Sequence, residues 1–188
     1  MMYLSKGIIC KRKSKNGLYI RHFGQPMVLI GEEAIMWQKG RFGFAYAVTK
    51  TEMNLVQTLV KKGIVICEHG YSEIDKYHAL CRCTICANPN FIFGIKPFSA
   101  PAKRIMKWLR KAGTNLSLPE LVCLEDKGIE PEQNLLYREN STRLLKLIYP
   151  WYESIAGELE SKMKHSIARK RTVDAVLELL RRKRIVIM

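Results

Sequence analysis

Between residues 67 and 86 the chain reads CEHGYSEIDKYHALCRCTIC, which gathers Cys67, His69, His78, Cys81, Cys83 and Cys86. Thiolate and imidazole are the ligands of tetrahedral zinc, with sulfur about 2.3 Å from the metal. Cys67, His69, Cys81, Cys83 and Cys86 are therefore the candidate metal set, and zinc is the cofactor to test; no other is expected. The spacing lacks the paired CxxC knuckles of strong zinc motifs. On an extended strand Cys81 and Cys83 share a face while Cys86 points to the other, so one ion reaches all three only if the chain turns. The plainer expectation is that small thiols pack a half-buried strand. Thiol–disulfide exchange at Cys83-Thr-Ile-Cys86 would want the first sulfur at a helix N-terminus, and a strand-like context argues against it. Cys10 and Cys123 read as structural. No catalytic constellation stands out, because His22 and His165 have no nucleophile or carboxylate at a recognisable spacing and no glycine-rich phosphate loop is present. Catalysis is not expected.

The second chemistry is charge. A formal net charge of +15 speaks to polyanionic partners rather than to fold. Residues 1–30 carry six basic side chains and no acidic one, and residues 146–188 carry ten against five. Two clusters stand on helix-like stretches: Lys103, Lys107, Arg110 and Lys111, and Arg169, Lys170 and Arg171 with Arg181 and Arg182. Contacts from such side chains to phosphates release condensed counterions and give salt-sensitive binding. Reading base edges needs other residues, and Asn54, Gln57, Thr58 and Lys61 fit that need, with Lys50 and Lys62 better placed for phosphates. In the second half Asn140, Thr142, Arg143 and Lys146 are further candidates. Trp37, Trp108, Trp151 and the other aromatics are expected in the core rather than as stacking platforms for single strands.

These residues need elements to hold them. Asn16-Gly17 between Ile8-Ile9 and Leu18/Ile20 predicts a hairpin, and PMVLI a third strand. EEAIMWQKG predicts a short helix, and GRFGFAYAV a turn with a short helix. Thr49 and Glu52 have capping-box spacing ahead of a helix carrying Met53, Val56, Leu59 and Val60, which Gly63 ends. IVIC then reads as a strand and YHALCRCTIC as its returning partner. Asn88–Phe98 is the expected linker. SAPAKRIMKWLRKAG starts a second unit with Ile105, Met106, Leu109 and Ala112 on one face, and Ser117/Glu120 with Pro119 marks another helix start. A mostly helical stretch from Ser141 to Lys164 is broken near Pro150, followed by a helix over 171–183 and a strand over 184–188.

Two segments repeat one another. LVQTLVKKGIVIC from Leu55 and VLELLRRKRIVIM from Val176 align without a gap, with Leu59 facing Leu180 and Ile64 facing Ile185. A helix whose basic end delivers a β-branched strand resembles the third helix and wing of the winged helix-turn-helix superfamily. The resemblance implies that this helix lies in a DNA groove. Residues 7–67 are also similar to the leader-peptide-binding domain of pyrroloquinoline quinone biosynthesis, which implies a peptide added to a sheet edge. The expectation is an α+β protein of two tandem winged-helix-like units, 1–87 and 99–188, that binds double-stranded DNA in bacterial transcriptional regulation. A peptide- or protein-binding adaptor and a metal-dependent redox sensor are the alternatives. MMYLSKGIIC ahead of KRK is too short an apolar stretch for a secretory signal, and no run approaches the roughly 18 apolar residues of a membrane span. A cytoplasmic protein with reduced cysteines and no membrane partner is expected.

Overall fold

Alternating and helical apolar periods both occur in this chain, and both are realised in a computed structural model that describes residues 1–10, 17–89, 98–111, 115–132, 141–149 and 156–188. The fold is α+β, with eight helices and three small three-stranded sheets among the described residues. None of these helices is long and apolar enough to cross a membrane. The chain divides into two compact units, Met1–Cys83 with Val186–Met188, and Thr84–Ile185. The division therefore falls earlier than the expected 88–98 linker, most of which lies outside the described residues.

In the first unit β1 (Met2–Ser5) is buried along its whole length and lies between β5 (Ala45–Tyr46) and β6 (Val65–Glu68). IVIC thus pairs with the start of the chain, Leu4 opposite Ile66 and Ser5 opposite Val65. A second sheet runs β2 (Ile8–Ile9), β3 (Leu18–His22), β4 (Gln25–Leu29), in that order. Strands β2 and β3 pair as the predicted hairpin, but Asn16-Gly17 is not its tight turn: Gly17 is a bridge residue without positive φ, and the register pairs Ile8 with Arg21 and Ile9 with Ile20, while residues 11–16 lie outside the described residues. Ile20 and Leu29 join the core with Leu18 and Met27 packed beside them, as the period of two requires. The β3–β4 turn is Phe23-Gly24, both at positive φ (44° and 83°), closed by the His22–Gln25 pair.

Helix α1 (Glu32–Lys39) buries Met36 and Trp37, while Ile35, expected on the buried side, is 56% exposed. The Trp37 indole N–H donates to the Lys6 carbonyl at 3.0 Å, so the ring is both buried and satisfied. Gly40 lets this helix end against β1, since a Cβ there would lie 2.7 Å from the Tyr3 ring. GRFGFAYAV gives turns and β5 rather than a helix. Helix α2 (Lys50–Lys61) begins with the predicted capping box: Glu52 N–H donates to Thr49 Oγ1, and the Glu52 carboxylate accepts from Thr49 N–H, both at 3.2 Å.

YHALCRCTIC does not return as a strand. Tyr77 to Cys81 belong to α3 (Glu73–Cys81), and only Thr84–Ala87 is extended, as β7. The reason is local, because Ser72 Oγ accepts from Asp75 N–H and the Asp75 carboxylate accepts from Ser72 N–H. That cap fixes a helix whose Tyr77, Ala79 and Leu80 are buried.

The second unit contains β7, α4 (Ala100–Lys111), β8 (Leu116–Ser117), α5 (Leu118–Asp126), α6 (Ser141–Ile148), α7 (Ala156–Met163) and α8 (Ala168–Arg181), and the chain closes with β9 (Ile185–Ile187). The sheet order is β8–β7–β9, separate from the sheet that holds IVIC. Helix α5 is buried nearly all round and packs against α6, α7 and α8. Ser117 N–H and Oγ both donate to the Glu120 carboxylate, so the residues expected to start this helix do start it. Helix α4 buries Ala102, Ile105, Trp108 and Leu109. Pro150 lies outside the described residues.

The two helix–strand junctions do match, but one residue out of the gapless alignment. After α2, Gly63 N–H donates to Val60 O and Ile64 N–H to Leu59 O; after α8, Lys183 N–H donates to Leu180 O and Arg184 N–H to Leu179 O. Both are Schellman ends, so Leu59 corresponds to Leu179 and Gly63 to Lys183. Lys183 takes φ 58° where Gly63 takes 75°. Arg184, 6% exposed, stands where Ile64 is fully buried.

Candidate nucleic-acid interface

On α2 the buried Val56 and Leu59 fix the outward face. Lys50, Asn54, Thr58 and Lys61, spaced four, four and three apart, are exposed on it. Two of the expected groups are committed elsewhere. The Gln57 amide is half-buried and donates inward to Met1 Sδ (3.5 Å) and Cys67 Sγ (3.9 Å). Lys62 clamps the Glu33 carboxylate at 2.6 and 2.7 Å, tying the end of α2 to α1. The Thr58 hydroxyl donates back to Asn54 O at 3.0 Å, leaving the oxygen as an outward acceptor.

Helix α4 carries five basic residues and no acidic one. Lys103, Lys107 and Arg110 are exposed and share the face opposite Ala102, Ile105, Trp108 and Leu109. At about 1.5 Å of rise per residue, successive members are separated by about 4.5–6 Å along the helix axis. Arg104, on the flank, is held by Glu125 and Glu130 and is internally neutralised. The Lys111 side chain and Asn140 lie outside the described residues.

The basic run around α8 is different. Arg171 pairs with Glu125 at 3.0 Å, Arg182 with Glu178 at 3.1 Å, and Arg169 donates to the Lys164 carbonyl. Arg181 is exposed and its Nε donates to Leu177 O. Lys170 is exposed beside a groove of about 720 Å³ that Asp174 and Glu178 also line. Its mixed sign suits a polyanion poorly. Arg182 and Arg184 each lie 5.0 Å from the Phe98 ring centroid. Burial first, then the nearby Arg110 and Arg182 charges, lower the Arg184 pKa. The sequence offered no signal for this stacking, because Phe98 is more than eighty residues from its arginines. On α6, Thr142, Arg143 and Lys146 are exposed.

The cysteine segment is spread over several elements. Cys67 is on β6, His69 is exposed beyond it, Cys81 ends α3, Cys83 is buried in the turn and Cys86 is on β7. Among the described residues, no three His, Cys, Asp or Glu side chains gather as a metal ion requires. Cys83 Sγ donates to Ala79 O at 3.3 Å, and burial pushes its pKa up to about 11. Burial also raises the Cys67, Cys86 and Cys123 thiols. Such thiols stay protonated at neutral pH, which opposes nucleophilic attack by these sulfurs. Trp37 and Trp108 are buried, as expected of core residues, and Trp151 lies outside the described residues.

Comparison with family models, with curated proteins and with solved structures gives no match to this chain.

Proposed function

We propose that this chain binds double-stranded DNA in the manner of a bacterial transcriptional regulator, α4 of one unit gripping phosphates and α2 of the other offering Asn54 and Thr58 to base edges, each unit making its own contact. The observation that carries the reading is the face of α4 that holds no acidic residue, where Lys103 and Lys107 are exposed opposite a helix side anchored by Trp108. A basic face without interspersed carboxylates does not neutralise itself, so counterion release on meeting phosphates favours association. Phosphate contacts position, and the polar side chains of α2 specify.

The test is fluorescence anisotropy with a random-sequence duplex over a salt series. The variant Lys103→Glu/Lys107→Glu is expected to bind at least roughly tenfold more weakly at low salt, and its slope of log K against log salt falls by about 0.9 for each phosphate no longer engaged. Unchanged affinity and slope would remove α4 from the interface.

A peptide-binding adaptor is the rival. It is favoured by Val28 and Ile30, exposed on and just beyond β4, which ends its sheet among the described residues. Pro26 opposes it. His22 and Gln25 close a two-residue turn as a hydrogen-bonded pair, so the next pair, Arg21–Pro26, directs its backbone groups outward. Pro26 has no N–H to give an incoming strand there, a device that blunts sheet edges. Absence of retention on heparin and duplex DNA at low salt, together with capture of an acidic peptide, would transfer the proposal to the adaptor.

A further inference from the structure

The tip of the β3–β4 hairpin is built against local preference. A two-residue turn with positive φ at both positions is normally filled by Asn-Gly, Asp-Gly or Gly-Gly, because a bulky L side chain crowds its own backbone there. Here the first position is Phe23 at φ 44°. The ring gains little from folding in return, since it is 63% exposed and its ring contact is with His22, centroids 4.5 Å apart. Glycine or asparagine would close the same hairpin with less strain. An outlier of this kind, held outside the core, is what functional positions show.

The surroundings say what the ring meets. No Asp or Glu precedes Glu32 in the chain, so the hairpin belongs to a stretch free of negative charge. Arg21, one residue from the turn on β3, is exposed. His22 is half-buried, its Nδ1 is enclosed without a hydrogen-bond partner, and burial and Lys6 both lower its pKa. The imidazole is therefore neutral at pH 7 and meets the Phe23 ring as an aromatic surface, tilted 56° to it. A Cβ placed at Gly24 would meet nothing within 4 Å, so the turn is open on that side.

We infer that Phe23 is a wedge that enters duplex DNA between adjacent base pairs, with Arg21 against the flanking phosphate. This rests on the DNA-binding reading above and adds its mode. Aromatic and aliphatic wedges part base steps and kink the duplex toward the major groove. Steps that unstack readily, TA and CA/TG, are the preferred entry points. Unlike α4, the Phe23 insertion is apolar and contributes nothing to the salt slope, to which only the Arg21–phosphate contact adds.

The experiment compares the full chain with Phe23→Gly and Phe23→Trp on end-labelled duplexes that carry central TA steps or an A-tract. Affinity is read over a salt series, and bending by energy transfer between the labels. Phe23→Gly is expected to keep the salt slope, lose roughly tenfold in affinity, lose the bend and lose the preference for TA steps. Phe23→Trp retains all three, and thermal melting of the glycine variant shows no loss of stability. If Phe23→Gly bends and binds like the parent, the wedge is overturned while the DNA reading stands. If the parent binds no duplex at all, both fall. Phe23-dependent cosedimentation with anionic vesicles, with DNA bending unaffected, overturns the wedge in favour of a membrane contact.

Discussion

Lys183 adopts the left-handed backbone that Gly63 adopts at the matching helix end. An L side chain there meets its own carbonyl, at about 1–2 kcal/mol, and glycine returns part of that gain through a more flexible unfolded chain. Lys183→Gly is therefore expected to stabilise the protein by up to about 1 kcal/mol, read as a higher urea midpoint at unchanged slope. The next residue inverts the usual rule as well. A Schellman end commonly closes with an apolar contact from the position that Ile64 fills, and Arg184 fills it in the second copy. Its guanidinium rests on Phe98 instead of reaching water, so part of the charge that the sequence advertises is absorbed by packing.

Elements were legible where one local mechanism sets them. The Thr49/Glu52 cap, the Gly63 stop and the burial of Ile105 and Leu109 on α4 follow from spacing alone, whereas Met106 of the expected face is half-buried and Ala112 lies outside the described residues. Helix α3 obeys the same capping rule at Ser72 and Asp75, yet the alternating cysteines beyond it imitate a strand period and obscure it. The Phe23-Gly24 turn could not be read because its first residue defies the preference that marks such turns. These caps carry a pH dependence. Backbone N–H groups of Val48 and Thr49 hold Glu52 below its ordinary pKa, and the Ser72 hydroxyl and N–H do the same for Asp75. Above the ordinary carboxylate range, about pH 4, both are ionised in native and unfolded chains and the cap contribution is complete. As pH falls the unfolded chain takes up protons first, so stability declines until the native carboxylates also protonate. Urea titrations from about pH 6 to about pH 3 are expected to show that decline, and Glu52→Gln to make it shallower.

At the scale of the molecule, a sequence reports how much charge there is and not where it is spent. The +15 excess reads uniformly along the basic runs. In the fold, Lys62, Arg104, Arg171 and Arg182 are each tied to a carboxylate, and in the first three cases the partner is more than twenty residues away along the chain. Exposed basic residues remain on α2 (Lys50, Lys61), α4 (Lys103, Lys107) and α6 (Arg143, Lys146), while most of the run around α8 is engaged within its own unit.

The enclosed thiols have one further consequence. A sulfur that donates to a neighbouring carbonyl and keeps its proton near neutrality, as Cys83 does, is shielded from iodoacetamide twice over, by access and by chemistry. Alkylation of Cys83 and Cys123 followed by mass spectrometry is therefore expected to be slow in buffer and fast in urea, which makes these two positions clocks for transient opening of their respective units. Modification at the rate of an unhindered cysteine in buffer would mean that those interiors breathe far more often than their packing implies.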